Sequence, residues 1–233
     1  MSSTGLRERK KARTRQLIAD TAARLFAERG YENIAVSDVA READVSEQTV
    51  YNYFPAKEQL VTDREQDIQD RLCELIRSRP PETTPAAAIR EFVLRVVAGI
   101  RDIPPELWRG ELGYVAAISP TVHRLVLELI DRQASALAAV ISETTAVPPE
   151  VARMHGIALA GVFEIILGEA GRRTRDGQSQ TKIARELSRI IESVLDELDL
   201  WFRASKSSRR LAPRRRGRGR AALPAGRRQR TPR

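Results

Sequence analysis

Between Ser46 and Tyr53 the chain sets Glu47, Gln48, Thr49, Tyr51 and Asn52 within two helical turns. These are side chains that can read a nucleic-acid duplex. Amides such as Gln48 and Asn52 donate and accept together, Thr49 can do either, and a carboxylate such as Glu47 can accept from cytosine N4. Tyr51 and Tyr53, with Lys57 just beyond, can donate to phosphate oxygens, which fixes orientation without reading sequence. Upstream, Arg7, Arg9, Lys10, Lys11, Arg13 and Arg15 stand against the single Glu8. Six cations so close together attract a phosphate backbone whatever its sequence.

The rest of the chain offers little to catalysis. There is no GxSxG, no HExxH and no Gly-rich phosphate loop. His123 and His155 lack neighbouring ligands of metal-binding spacing, so no metal, no cofactor and no enzyme activity are expected. Cys73 is the only cysteine and excludes an intramolecular disulfide. It lies on an apolar helix face, as a small core residue or a redox sensor. Trp108 and Tyr114 can be core or can wall a small-molecule site. Glu164 is the single charge of an apolar stretch, either an effector's hydrogen-bond partner or a partly exposed carboxylate.

Hydrophobic spacing says what must hold these residues. Ile18, Ala22, Leu25 and Phe26 recur at helical spacing and stop at Gly30. Val36, Val39, Ala40 and Ala43 predict a second, short helix. Ser46 is a natural N-cap for a third over Glu47–Tyr53, with Ala43–Ser46 as the intervening turn. Helix, tight turn, helix is a helix-turn-helix, whose second helix fits a major groove about 12 Å wide. Val50 and Phe54 belong to its core. A long segment carrying Leu60, Ile68, Leu72, Leu75 and Ile76 follows Pro55 and begins near Lys57. Beyond it, Thr84-Pro85, Pro104-Pro105, Ser119-Pro120, Pro148-Pro149 and Ser179 each open another amphipathic helix. The expectation is an all-α fold of about nine helices.

At Thr14–Leu60, and above all in VSEQTVYNYFPAKEQL (Val45–Leu60), the chain resembles the N-terminal DNA-binding domain of the TetR family of transcriptional regulators. The resemblance implies a DNA-binding domain over 11–71, with its helix-turn-helix at about 34–53, and an effector-binding and dimerisation domain over 72–202. It also implies a role for each motif residue. Glu47–Tyr53 would be the recognition helix, with Ser46 as its cap. Gln48, Thr49 and Asn52 would face bases, Tyr51 and Tyr53 the backbone, and Lys57 phosphate. Trp108, Tyr114 and Glu164 are the candidates for an effector site. Three positions depart from the family pattern. Asp44 replaces a turn glycine, Ala35 a capping Thr, and Glu47 a frequent base. Glu47 either reads a base donor or serves the helix dipole.

The partners implied are a double-stranded DNA operator, a second copy of the chain and a small-molecule effector. Such a homodimer would bind a palindromic operator with half-sites about 34 Å apart. The dimer would pair the last two long helices, where Gly156, Ala160 and Gly161 permit close approach; the alternative is that both helices are intramolecular core.

Charge adds one caution. The 233 residues carry a formal charge of +9, but 203–233 hold twelve Arg, Lys206 and no acid. Residues 1–202 then have 27 basic against 31 acidic side chains. The basicity sits in a tail too poor in apolar residues to fold, which is expected to be disordered. A non-specific architectural nucleic-acid-binding protein driven by that tail is the alternative function. The longest run without charged residues, Leu112–His123, is too short to span a bilayer. A cytoplasmic, nucleoid-associated protein is expected.

Overall fold

In the computed structural model the backbone is described for residues 3–207 and side chains for residues 7–205. Ten α-helices and no strand occur among them. The helices are α1 (Ser3–Arg29), α2 (Val36–Glu42), α3 (Glu47–Tyr53), α4 (Glu65–Ser78), α5 (Pro85–Gly99), α6 (Pro105–Trp108), α7 (Leu112–Ile118), α8 (Pro120–Thr144), α9 (Pro149–Arg175) and α10 (Gln180–Ser207).

Capping explains most of the boundaries. Gly30, at φ 80°, ends α1 in the left-handed conformation, its N–H bonded to Phe26 O at 3.0 Å. Thr84 and Ser119 accept from Ala87 N (3.1 Å) and Val122 N (3.2 Å), with proline next in line at the start of α5 and α8.

Four expectations need correction. The segment after Pro55 is not one helix from Lys57. A 3-10 turn (Lys57–Leu60) and a non-helical link precede α4 at Glu65, because Lys57 and Asp63 are held by partners far back in the chain. The helix expected after Pro104-Pro105 is split at Gly110 into α6 and α7, which accounts for the tenth helix. A Cβ on Gly110 would lie 1.8 Å from Ala23 O, so the chain turns where α1 touches it. At the C-terminal end, α10 runs past Phe202 to Ser207, into the stretch expected to be disordered. The rest of the arginine tail, 208–233, lies outside the described residues. Finally, α9 is long and apolar enough to cross a membrane by length and composition, although charges interrupt it. Here it packs against α7, α8 and α10.

Two apolar clusters organise the molecule. One joins α4, α5, α8, α9 and α10 around Leu72, Ile89, Val93, Leu137, Leu159, Ile183 and Leu187, each 0% exposed. The other gathers the first three helices around Ile18, Leu25, Phe26, Val39, Val50 and Phe54. It also takes in Leu112 and Val115 of α7 and Val122 and Val126 of α8. Gly156 and Ala160 face inward. A Cβ on Gly156 would meet Ala134 O of α8 at 2.4 Å, and Ala160 is 0% exposed. Their smallness serves the crossing of α8 and α9 rather than approach by a second chain. Gly161 alone of the three has open space beside it.

Candidate nucleic-acid interface

The turn before α3 is built as its residues require. Asp44 takes φ 54°, a left-handed conformation that Asp tolerates better than most residues. Ala35 offers α2 no side-chain cap, but Asp38 reaches back to accept from Ala35 N at 2.9 Å. That half of a capping box keeps the helix start without the missing hydroxyl. Ser46 Oγ accepts from Thr49 N at 3.1 Å and lies 2.8 Å from the Thr49 hydroxyl. Ser46→Ala is expected to lower stability by about 1 kcal/mol, read as a shift in urea midpoint at unchanged slope.

Below the cap, α3 divides cleanly into two faces. Val50 and the following Phe54 are 0% and 1% exposed, each burial worth roughly 1.5–3 kcal/mol. Ser46, Glu47, Gln48, Tyr51 and Asn52 are exposed and Thr49 half-buried. Gln48 Nε2 donates to Asn52 Oδ1 at 3.2 Å, so the two amides sit side by side. The face opposite this anchor therefore presents a polar rim to solvent.

Three residues assigned to DNA by sequence have duties inside the head. Lys57 Nζ donates to Tyr31 O at 2.6 Å and stands 4.1 Å from the Tyr31 ring centroid. Burial holds its ammonium below the ordinary lysine value and pushes the Tyr31 phenol up to about 12. Lys57 thereby ties the 3-10 turn at Tyr31–Asn33 to the one at Lys57–Leu60. Arg15 Nη1 donates to Tyr53 O at 2.9 Å, its guanidinium lies 4.5 Å from the Phe54 ring, and it pairs with Asp63. It clamps the end of α3 to α1 and to the link before α4. Tyr53 is half-buried against the head core. The exposed cations that remain, Arg7 to Arg13, are carried on the first turns of α1.

Residues 18–63 match the family model described as bacterial regulatory proteins, tetR family. Over this stretch the chain is similar to the DNA-binding region of the TetR family. It is 26% identical over 150 residues to the HTH-type transcriptional regulator TcmR of Streptomyces glaucescens, spanning 64% of this chain and 62% of that one. It is also 26% identical over 115 residues to the uncharacterized HTH-type transcriptional regulator YuxN of Bacillus subtilis (strain 168), spanning 47% and 40% respectively. The chain thus covers less than two thirds of either relative. Among solved structures, native NalD, the secondary repressor of the MexAB-OprM multidrug efflux pump in Pseudomonas aeruginosa, shares the fold with a TM-score of 0.52. Its sequence identity is 16%, with 78% of this chain and 97% of that one covered.

A cavity of about 310 Å³ lies within the helical body, and Trp108 and Tyr114 both line it with Phe163 and Ile166. Glu164 does not. It is exposed and borders a separate groove with His123, Ile118 and Leu127. Two carboxylates that sequence reasoning missed, Glu65 and Glu111, do line the cavity. Burial, with Glu111 nearby, lifts Glu65 to about 7, and burial also raises Glu111. The fold therefore favours neutral Glu65. It costs nothing below its ordinary value of 4.5, and stability falls as pH climbs from there through about 7. Glu65→Gln is expected to match the parent at pH 4.5 and exceed it by about 3 kcal/mol at pH 8, measured by urea denaturation.

Cys73 is half-buried and burial pushes its thiol up, which disfavours the reactive thiolate. No metal-holding group of His, Cys, Asp or Glu occurs among the described residues.

Proposed function

We propose that this chain is a sequence-specific DNA-binding transcriptional regulator, a ligand-responsive repressor that binds a palindromic operator as a homodimer. The observation that carries the reading is the outward polar rim of α3. Gln48, Thr49 and Asn52 face bases, Tyr51 meets the backbone, and Glu47 reads a base donor or serves the helix dipole. Val50 and Phe54 hold that rim at a fixed pose, as base readout demands. The cations of α1 supply phosphate attraction, while Lys57 and Arg15 support the head from within.

Dimerisation draws on exposed apolar residues of neighbouring helices: Met154 (53% exposed) and Ile157 (47%) on α9, Leu200 (62%) and Trp201 (39%) on α10. Large side chains grouped in this way suit a partner surface, and a second copy meets the two-fold symmetry of a palindrome. Ile157→Asp is expected to shift the chain from dimer to monomer in sedimentation velocity and to weaken operator binding with it.

Release is assigned to the body cavity. Glu65 opens α4 inside the cavity, two residues beyond the Asp63 that Arg15 ties to the end of α3. A ligand that prefers one placement of the α4 start shifts the population of head positions by its differential affinity. Cytoplasmic action follows from a DNA target.

The deciding experiment is selection of bound duplexes from a random pool, with the full chain and with a chain ending at Ser207. A symmetric consensus retained by the shorter chain supports the proposal. Recovery without consensus, lost on truncation, would replace it with non-specific binding by the arginine tail.

A further inference from the structure

The body cavity has a chemical character of its own. Its walls are largely apolar, from Phe163, Ile166 and the indole of Trp108, yet two carboxylates, Glu65 and Glu111, reach it. The cations at its border do not neutralise them well. Arg64 approaches Glu111 only to 4.0 Å with its side chain 59% exposed, and Arg95 is paired with Glu91 at 2.7 Å. Burial and mutual repulsion already hold Glu65 short of full ionisation near neutral pH. A second group is unsatisfied. Trp108 is only 9% exposed, and its Nε1 has no hydrogen-bond partner. A buried donor left unpaired is costly, and an acceptor on a ligand would recover that cost.

We propose that the cavity binds an amphipathic amine, with its ammonium between Glu65 and Glu111, its aromatic or aliphatic body against Phe163 and Ile166, and an acceptor atom on Trp108 Nε1. The inference rests on the reading of this cavity as the effector site. The volume of about 310 Å³ suits a ligand of one or two rings. A cation restores the charge that burial suppresses, so binding draws the Glu65 proton off into solvent. An anion meets two carboxylates, while Arg64 lies largely in solvent and Arg95 is paired with Glu91, so it is disfavoured. The site thus discriminates by sign of charge as well as by shape.

The test uses three compounds of one shape: 5-methoxytryptamine, 5-methoxytryptophol and 5-methoxyindole-3-acetate, which carry an ammonium, a hydroxyl and a carboxylate on the same ring. Isothermal titration calorimetry of the full chain at pH 7, without DNA, is expected to show the amine binding at least tenfold tighter than the alcohol and the acid not at all. Glu65→Gln and Glu111→Gln each reduce the amine's advantage, and the double variant abolishes it while alcohol binding survives. Trp108→Phe weakens amine and alcohol alike by several-fold. The proposal is overturned if the amine fails to bind at millimolar concentration, if alcohol or acid binds as tightly, or if the double variant keeps the preference. Operator release is measured separately, with the selected duplex. An amine that binds yet leaves DNA affinity unchanged supports the site chemistry and removes its effector role.

Discussion

Replacing Gln48 and Tyr51 together by alanine is expected to lower operator affinity by at least a hundredfold while leaving stability within about 0.5 kcal/mol of the parent. Both residues are exposed on α3, Tyr51 at 43%, so their truncation removes little packing. A good base contact is worth about 1–3 kcal/mol, and in the proposed homodimer both subunits lose it at once. Fluorescence anisotropy with the selected duplex and a scrambled control, at one fixed salt concentration, separates the two components of affinity. Specific binding should fall to the level of the scrambled duplex, which the cations of α1 continue to support. Retention of affinity to within threefold would mean that another surface reads the bases.

Gly110→Ala is expected to cost about 3 kcal/mol and to show as a lowered thermal midpoint. The added carbon would stand 1.8 Å from Ala23 O and 2.4 Å from Ala23 C, both backbone atoms of α1 that no rotamer change can move aside. Gly99, where a Cβ meets nothing within 4 Å, provides the contrast, and Gly99→Ala should be nearly neutral. Equal effects of the two substitutions would show that the contact of α1 with the α6–α7 turn carries no weight.

Local chemistry made much of the head legible in advance. Ser46, Asp44 and the spacing of Val50 and Phe54 act over a few residues, so their cap, turn and core roles follow from neighbours in the chain. What the sequence leaves out depends on partners brought from a distance. The neighbours of Lys57 point to DNA and say nothing of Tyr31, 26 residues earlier, which supplies it a carbonyl and a ring. Arg15 counted as one of six arm cations until Asp63 and the Tyr53 carbonyl were seen beside it. Gly156 suggested an opening for a second chain because sequence cannot say which helix fills the space, and α8 does. Trp108 and Tyr114 could be picked out as aromatic wall candidates. Glu65 and Glu111 could not, since carboxylates at helix starts are ordinary surface residues until a cavity closes around them.

Leu112, Val115, Val122 and Val126 share a core with the first three helices, which has a consequence for modularity. The recognition unit is not a detachable cassette, because its oily underside is completed by side chains found 50 or more residues downstream of Leu60. Grafting residues 1–64 onto another regulator's body would bring foreign groups to that seam, and the hybrid would inherit a mismatch unless the four downstream positions travelled too. Exchange of operator preference between relatives is therefore easier through the few outward side chains of α3 than by swapping whole heads.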